Sequence, residues 1–580
     1  MGGFVYIRKD IVANSAGSDI VPEKSLIAME RRGLTKKTVL SRDKFDLHVY
    51  NKMRVATDSV LELDNGDFVV ATGTPIYKRK MGAEALHELY ADFSRGQLSF
   101  ENFFGHFAVW IYKDGDLTLF NDYCGMYQVY HDPGFRLISS AFLPVCHAVA
   151  TRTPNTQEIY EYLTFEMVLG RKTVLQEIEV LDHHLLLKPL DTQSSQRKPL
   201  HLPDFDGSRP VEELVDDVHH SLEKYFSVLT GTFGNEQSIG LSGGYDSRMT
   251  LAHLIKSGAS PHVYVHGADD SADVRIAQTI AVGEGFPIQH SANEAAPNFS
   301  LDELPERLKD AYFYLDGIPF SGLFDDWAMI SKERRAKHRP ELLRLYGMGG
   351  EVFRLTRHLA DRPHTLSEYL KTQYDNFEHS AYTDLFDKGH YLNSAGAKLV
   401  KELGIKNELM SRSEIELAYP LFSMPRISGP QMSLQNERAY ALVPYSEPVF
   451  THLGGKIPIE DKYLGRFQAA LINRASPSLA GYMSEYGYSF ADGPGFKAKV
   501  LGLAKQMVPQ KLRPFLRRQK AKLKSQKKSP FYLTDDFVRK IFPDGCPNIE
   551  PFLQVQNQKD YRLLSKALSL EIILSGKYCE

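Results

Sequence analysis

Six consecutive residues, Ser242-Gly-Gly-Tyr-Asp-Ser247, combine two glycines, two hydroxyls and a carboxylate in one short turn. Glycines let the backbone approach a ligand closely. Backbone N–H groups in such a turn, with a helix amino terminus aimed at the same spot, make an anion site suited to phosphate. Ser242 and Ser247 add hydroxyl donors, and Asp246 is a carboxylate able to hold Mg2+ against phosphate oxygens. The string lacks both the Gly-Lys-Ser/Thr of the Walker loop and the GxGxxG of dinucleotide sites. A Gly-Gly turn alone is commonly only a turn, whereas the whole string, set between an apolar strand and a helix, is far more specific.

The flanking elements satisfy that condition. Ser238-Ile-Gly-Leu241 reads as an apolar strand, Asp246 to Lys256 as a helix, and His262-Val-Tyr-Val265 as a second strand at βαβ spacing. This order predicts a parallel sheet with its ligand at the carboxyl ends of the strands. Leu342-Leu-Arg-Leu345 adds a further strand, and the stretch from Ser367 to Gln435 reads as mostly helices. The first 200 residues follow a different period. Asp67 to Thr72, Phe107 to Tyr112 and Leu117 to Phe120 are short, strand-like runs in an apolar pattern mostly of period two, and Asn65-Gly66 and Asp114-Gly115 punctuate them as hairpin turns. Helices are expected near Ala83 to Phe93 and Gln157 to Leu163. A polar segment, Pro203-Asp-Phe-Asp-Gly207, ends this region, and a helical period opens at Val211, Leu214, Val218 and Leu222. The expectation is a two-domain α/β chain divided into residues 1–205 and 206–580.

Composition supports two cores, with 580 residues of which 43% are hydrophobic. A formal charge of −3 excludes a globally basic nucleic-acid binder. Cys124, Cys146, Cys546 and Cys579 have neither CxxC nor Cys/His spacing, which argues against a zinc site or a disulfide framework and fits a reducing compartment. With no signal-peptide pattern in MGGFVYIRKD and no apolar run long enough to span a bilayer, a cytoplasmic protein is expected.

The loop and its surroundings resemble the ATP-pyrophosphatase (PP-loop) enzymes, in particular the asparagine-synthetase-like amide ligases. Asp273, Ala277 and His290 match that family's D…A…H pattern; Gly347-Met-Gly-Gly-Glu-Val-Phe353 is similar to its second glycine loop, and Pro444-Tyr-Ser-Glu447 to its PFLD string. Asp316, in Tyr314-Leu-Asp-Gly-Ile-Pro319, extends the match. Read as residues, Asp316 serves equally as a turn former and His290 as a core histidine. The resemblance implies ATP bound by Leu241, Ser242, Gly243, Gly244, Tyr245, Asp246, Ser247, Val265, His266, Gly267, Gly347, Met348 and Gly349, with Mg2+ on Asp246 and Glu351. Asp246 and Glu351 are then catalytic, together with a lysine. The family's lysine precedes an FSDG-like string; here Phe490-Ala-Asp-Gly493 resembles that string but Gly487 stands at the lysine's place, leaving Lys497 or Lys499 as substitutes. Met348 occupies the position of a tyrosine in β-lactam synthetases and a glutamate in asparagine synthetases.

Gly105-His-Phe-Ala-Val-Trp110, Asn121-Asp122-Tyr-Cys-Gly125 and Val129-Tyr130 resemble the class II glutaminase domain, implying an N-terminal αββα sandwich of the N-terminal-nucleophile-hydrolase type. Gly73-Thr-Pro-Ile-Tyr77 and Ile138-Ser-Ser-Ala141 extend that likeness. The family's nucleophile is a cysteine directly after the initiator methionine, where thiol and α-amine work together. Here that residue is Gly2, and Lys80-Met-Gly-Ala-Glu84 lies where a glutamine-binding GSDxE is absent. The domain thus reads as a scaffold, and the attacking amine as part of a substrate, as in β-lactam and carbapenam synthetases and lasso-peptide cyclases. Alternatives are amidation of a sugar carboxylate in capsule or O-antigen assembly, an RNA-modifying PP-loop enzyme, and a non-catalytic scaffold.

Between Lys497 and Lys528 stand twelve Lys or Arg and no Asp or Glu, interleaved with apolar residues such as Val500, Leu503 and Phe515. This pattern reads as a solvated cationic helix face, or as a contact for an anionic substrate or for the inner membrane surface. The expected partners are a small-molecule or peptide carboxylate and an amine, with a homodimer also in view and nucleic acid not expected.

Overall fold

The computed structural model describes all residues except 10–18, 192, 197–199, 203, 293–298, 333–341, 356–358, 376–380, 407–408, 497–498, 501, 503–507, 509–511, 513–515, 517–529, 559 and 580. Of the basic segment, Lys499 is the only Lys or Arg among the described residues.

The period-two segments form two six-stranded antiparallel sheets. One has the order β12 (Glu179–Val180), β10 (Tyr130–His131), β11 (Leu137–Ser139), β1 (Gly3–Arg8), β3 (Phe45–Tyr50), β2 (Lys36–Arg42). The other runs β14 (Gln193–Gln196), β13 (Leu185–Lys188), β9 (Asp116–Asn121), β8 (Phe107–Lys113), β5 (Phe68–Gly73), β4 (Val60–Glu62), beside a ribbon of β6 (Ile76–Tyr77) and β7 (Phe103–Phe104). Alternation decides the layers. Phe4 and Tyr6 of β1 pack against Phe68, Val70 and Trp110 of the facing sheet, with Tyr6 stacked 5.2 Å from Trp110. Val5 and Ile7 turn the other way, toward α1 (Pro22–Arg31) and α3 (Phe142–Ala148). Val69, Val109 and Ile111 bury their far side under α2 (Gly82–Ser94). Helix, sheet, sheet and helix therefore stack in four layers. The sequence reading missed α1 and α3, whose short apolar runs carry little helical period.

The remainder is built on a five-stranded parallel sheet, in the order β17 (Ile288–Ser291), β16 (His262–His266), β15 (Gln237–Gly240), β18 (Leu343–Leu345), β21 (Tyr440–Leu442). Helix α5 (Val211–Phe233) lays Leu214, Val218, Leu222, Phe226 and Leu229 into this sheet's core. Then α6 (Tyr245–Lys256) and α7 (Ala272–Glu284) follow their strands as the βαβ spacing requires. Farther on lie α8 (Leu304–Tyr314), α9 (Leu366–Tyr374), α10 (Lys388–Leu403), α11 (Arg466–Ala475) and α12 (Tyr561–Ser575), with a small ribbon of β19 (His364–Thr365) and β20 (Leu409–Met410). No helix among the described residues is long and apolar enough to cross a membrane.

The buried core does not stop near residue 205. Leu143, Ile159 and Tyr162, from α3 and from α4 (Thr156–Phe165), share one cluster with Tyr312, Leu399, Leu568 and Ile572. The seam is polar around β21. Thr74 donates to Asn436 at 2.6 Å, the Val443 N–H donates to His106 Nε2 at 2.9 Å, and the Gly105 N–H donates to the Glu447 carboxylate at 2.8 Å. Buried Arg32 joins Asp316 at 2.6 Å and Glu437 at 2.5 Å. Asp316, in a left-handed turn with φ of 59°, also accepts the first N–H groups of α3, from Phe142 and Leu143, at 2.7 and 2.9 Å. The structure thus makes Asp316 a turn residue that caps one part of the chain from the other.

Burial pushes the Glu447 carboxyl up to about 8 from an ordinary 4.5, against the pull of the Gly105 N–H. Between these values the folded chain keeps a proton that the unfolded chain has released, so stability falls as pH rises through that window. Glu447→Gln keeps an acceptor for Gly105. It is expected to melt progressively higher than the parent between pH 5 and pH 8, by an equivalent of at most a few kcal/mol at the top of the range. Parallel melting profiles for the two proteins would contradict this.

Candidate functional site

The candidate site lies at the carboxyl ends of β15, β16 and β18. After β15 the Leu241 N–H still reaches the Tyr264 carbonyl, at 2.8 Å; the chain then turns through Ser242 and Gly243, and α6 starts at Tyr245 with Gly244 as its N-cap. The Ser242 N–H donates to Ser247 Oγ at 3.0 Å, the two serine hydroxyls are 2.9 Å apart, and the Gly244 N–H reaches Ser242 Oγ at 3.3 Å. The two serines thus brace the turn, while the first-turn N–H groups of α6 have no partner within their own helix.

The D…A…H residues support this turn and its neighbour. Asp273, in the first turn of α7, accepts the Gly243 N–H at 2.7 Å, and Ala277 is buried one turn on. His290 on β17 lies with Nε2 2.9 Å from the Gly267 carbonyl and Nδ1 3.4 Å from Asp269. It is therefore a half-buried prop for the turn after β16 rather than a core residue. Val265 is buried inside the sheet, and His266 and Gly267 close the strand beside the loop.

The second glycine loop, after β18, presses directly on α6. A Cβ at Gly347 would stand 2.8 Å from the Ser247 nitrogen, and one at Gly350 2.5 Å from Asp246 Oδ1, so only glycine lets the loops meet this closely. The meeting brings Asp246 and Glu351 together. Arg354 lies between them, 2.9 Å from Asp246 Oδ2 and 3.4 Å from Glu351 Oε1. Gln468 of α11 donates to Asp246 Oδ1 at 2.7 Å, and Glu351 accepts the Gly349 N–H at 2.9 Å. Burial, and then the charge of Asp246, push the Glu351 carboxyl above its ordinary range against the pull of Arg354. Two convergent, mutually repelling carboxylates are oxygen donors that fit a hard divalent cation such as Mg2+.

Arg354 and Gln468 were not foreseen. Arg354 had a signal, since it follows Glu351 by three residues and so returns to the same side of a helical turn. Gln468 had none, because α11 reaches the loop only through the fold. The lysine expectation fares differently. Lys497 lies outside the described residues, Lys499 is exposed, and the cation on Asp246 is Arg354. Met348 packs against the cluster of Met126, Met424, Met432 and Val443.

Residues 479–490 cover the loop. The ring of Phe490 stacks on Tyr245 at 4.0 Å, and buried Arg248 lies 4.5 Å from the same ring while donating to the Tyr482 and Met483 carbonyls at 2.8 and 3.0 Å. The Glu485 N–H donates to the Gly243 carbonyl at 3.1 Å. Below the loops, Glu351 forms one wall of a cavity of about 320 Å3 whose other walls include Phe165, Tyr369, Gln373, Tyr374 and Tyr419. In the N-terminal sandwich, a Cβ at Gly2 would stand 2.4 Å from the Asn51 carbonyl oxygen, so a cysteine at this position demands a shift of the backbone.

No protein-family model matches the chain. No curated protein matches it either. Among solved structures the chain is similar to a glutamine phosphoribosylpyrophosphate (PRPP) amidotransferase from B. subtilis, complexed with ADP and GMP. That match has 11% identity and a TM-score of 0.21, and covers 60% of this chain and 76% of the other.

Proposed function

We propose that this chain is an ATP-dependent amide-forming ligase of the asparagine-synthetase-like kind, which adenylates a carboxylate and couples it to an amine. One observation carries the reading: the SGGYDS turn and the second glycine loop meet so closely that Asp246, Glu351 and Arg354 converge at the amino terminus of α6. The first-turn N–H groups and the serine hydroxyls bind the nucleotide phosphates. Arg354 balances negative charge as a carboxylate oxygen of the substrate attacks the α-phosphorus and pyrophosphate leaves. Asp246 and Glu351 would hold Mg2+, which supplies charge neutralisation to the phosphates. The amine then attacks the acyl carbonyl, AMP leaves, and the amine gives up a proton.

The cavity beside Glu351 is the acyl site of this proposal. Its walls of Phe165, Met167, Ile427 and several tyrosines favour a carboxylate with an apolar or aromatic body, with Gln373 and Ser423 as polar contacts. That lining supports the natural-product or peptide reading over a sugar carboxylate. Because Gly2 leaves no room for a side chain at the nucleophile position, the amine is supplied by a substrate and not by in-chain glutamine hydrolysis.

The test is carboxylate-dependent exchange of labelled pyrophosphate into ATP across a panel of aromatic, peptidic and uronic acids. AMP and pyrophosphate are the expected products, and formation of ADP overturns the reading. Asp246→Ala is expected to lower the exchange rate by ~100-fold or more. Gly350→Ala is expected to act similarly with the fold retained, since its Cβ displaces the Asp246 carboxylate. Tyr419→Trp narrows the acyl cavity and is expected to raise KM for the larger acids about tenfold while sparing KM for ATP. Equal losses for every acid would remove the cavity from the acyl site.

A further inference from the structure

We propose a second site, distinct from the nucleotide loops, in which His183, His184 and Glu402 bind a first-row transition metal ion, zinc being the natural candidate, and thereby clamp the N-terminal sandwich to α10. The proposal does not rest on the ligase reading. His183 and His184 lie in the turn between β12 and β13, and Glu402 lies in the last turn of α10, more than two hundred residues later in the chain.

The geometry carries the assignment. Nε2 of His183 is 3.5 Å and Nε2 of His184 is 3.7 Å from the same oxygen, Oε1 of Glu402, and one ligand atom from each residue lies within 4.8 Å of the others. A tetrahedral zinc site with bonds of about 2.1 Å separates its ligand atoms by roughly 3.4 Å, so the two histidine-to-carboxylate distances already match that spacing to within tenths of an ångström, and the two imidazoles, within 4.8 Å of each other, need to approach by at most about 1.4 Å. Two imidazoles and one carboxylate are a set that zinc accepts, with a fourth position left to water. No group of three His, Cys, Asp or Glu elsewhere among the described residues meets the same distance condition.

The surroundings hold the ligands as outer contacts hold them in metal sites. Arg171 reaches the other carboxylate oxygen, Oε2, at 3.5 Å, leaving Oε1 to the histidines, and Arg171 is itself paired with Asp182. The His184 ring stands edge-on to Tyr123 with centroids 6.0 Å apart, and His183 is seated against Gly125, where a Cβ would come within 2.8 Å of Nδ1. Arg171 and Arg426 also place positive charge beside the Glu402 carboxylate. Arg171 and Arg426 oppose a further cation. Asp182 offsets the first, and Arg426 donates to Gln128 at 3.1 Å on its own side.

The test uses the full chain without a polyhistidine tag, treated with chelator and titrated with Zn2+ by calorimetry and with Co2+ by absorption, with no nucleotide present. One ion per chain is expected, with micromolar or tighter affinity. Co2+ should give the visible bands of a four-coordinate N/O site, and the melting temperature should rise with Zn2+. His184→Ala and Glu402→Gln are each expected to weaken binding by ~10- to 100-fold or more and to abolish the metal-dependent rise in melting temperature. His184 is half exposed, so its variant keeps the test open if Glu402→Gln fails to fold. No binding, or binding that both variants leave unchanged, overturns the proposal. So does a clamp whose stability follows histidine protonation alone, with no response to metal.

Discussion

The close approach of two glycine loops at the ends of β15 and β18 sets the rest of this molecule's chemistry. Gly347 and Gly350 sit against the backbone of Ser247 and the carboxylate of Asp246 at distances that no side chain tolerates. Adjacent parallel strands bring both loops to the same edge of the sheet, and the absence of two Cβ atoms lets them close. Once closed, the second loop delivers Glu351 and Arg354 to the carboxylate of the first. Elements far apart in sequence then add what neither loop has, namely Gln468 from α11 and the aromatic cover of Phe490.

A second constraint holds the sandwich against this sheet. Strand β21 is the edge next to β18, and its flanks are met by Thr74, Gly105 and His106 from the N-terminal region. An open parallel edge would offer unpaired backbone groups, and here those groups find partners in the other unit. The buried set of Arg32, Asp316 and Glu437 works only because each charge has its counterpart; deleting one member leaves the others desolvated and uncompensated. These contacts also give the sandwich a structural part in the rest of the chain. It forms one wall of the core through α3 and α4, so its packing is needed whether or not it does chemistry.

Much of this was legible in the sequence where local pattern and tertiary need coincide. The strand, glycine turn and helix around Ser242 are a local signal, and the fold placed them within a residue or two of expectation. The hairpin strands of the first 200 residues were legible because a period of two maps directly onto the faces of a sheet. The short helices α1 and α3 were not, since their burial is dictated by the sheet they cover. Nor were the partners of Asp246. A guanidinium three residues after Glu351 could have been read from helical spacing, but Gln468 and the bracing of Gly243 by Asp273 depend on packing that no short string encodes. His183 and His184 are adjacent in the sequence but were not singled out there, because their meaning depends on Glu402, which only the fold brings to them.

The electrostatics around the loop bear on what the proposed nucleotide needs. Asp246, Asp273, Glu351 and Glu485 all lie at or beside the two loops, whereas Arg354 is the cation held directly by Asp246. Arg248 does not help, because its guanidinium is spent on the carbonyls of residues 482 and 483 and on the face of Phe490. Among the described residues named here, a polyphosphate entering this region meets more negative than positive charge, and helix-end N–H groups offset only about half a charge. On the ligase reading, Asp246 and Glu351 would therefore need to hold a divalent cation for a polyphosphate to bind, and not merely to aid catalysis. The same balance accounts for Arg354: without it, two carboxylates pressed together by the glycine contacts would repel each other in a largely buried site, and the loops could not stay closed.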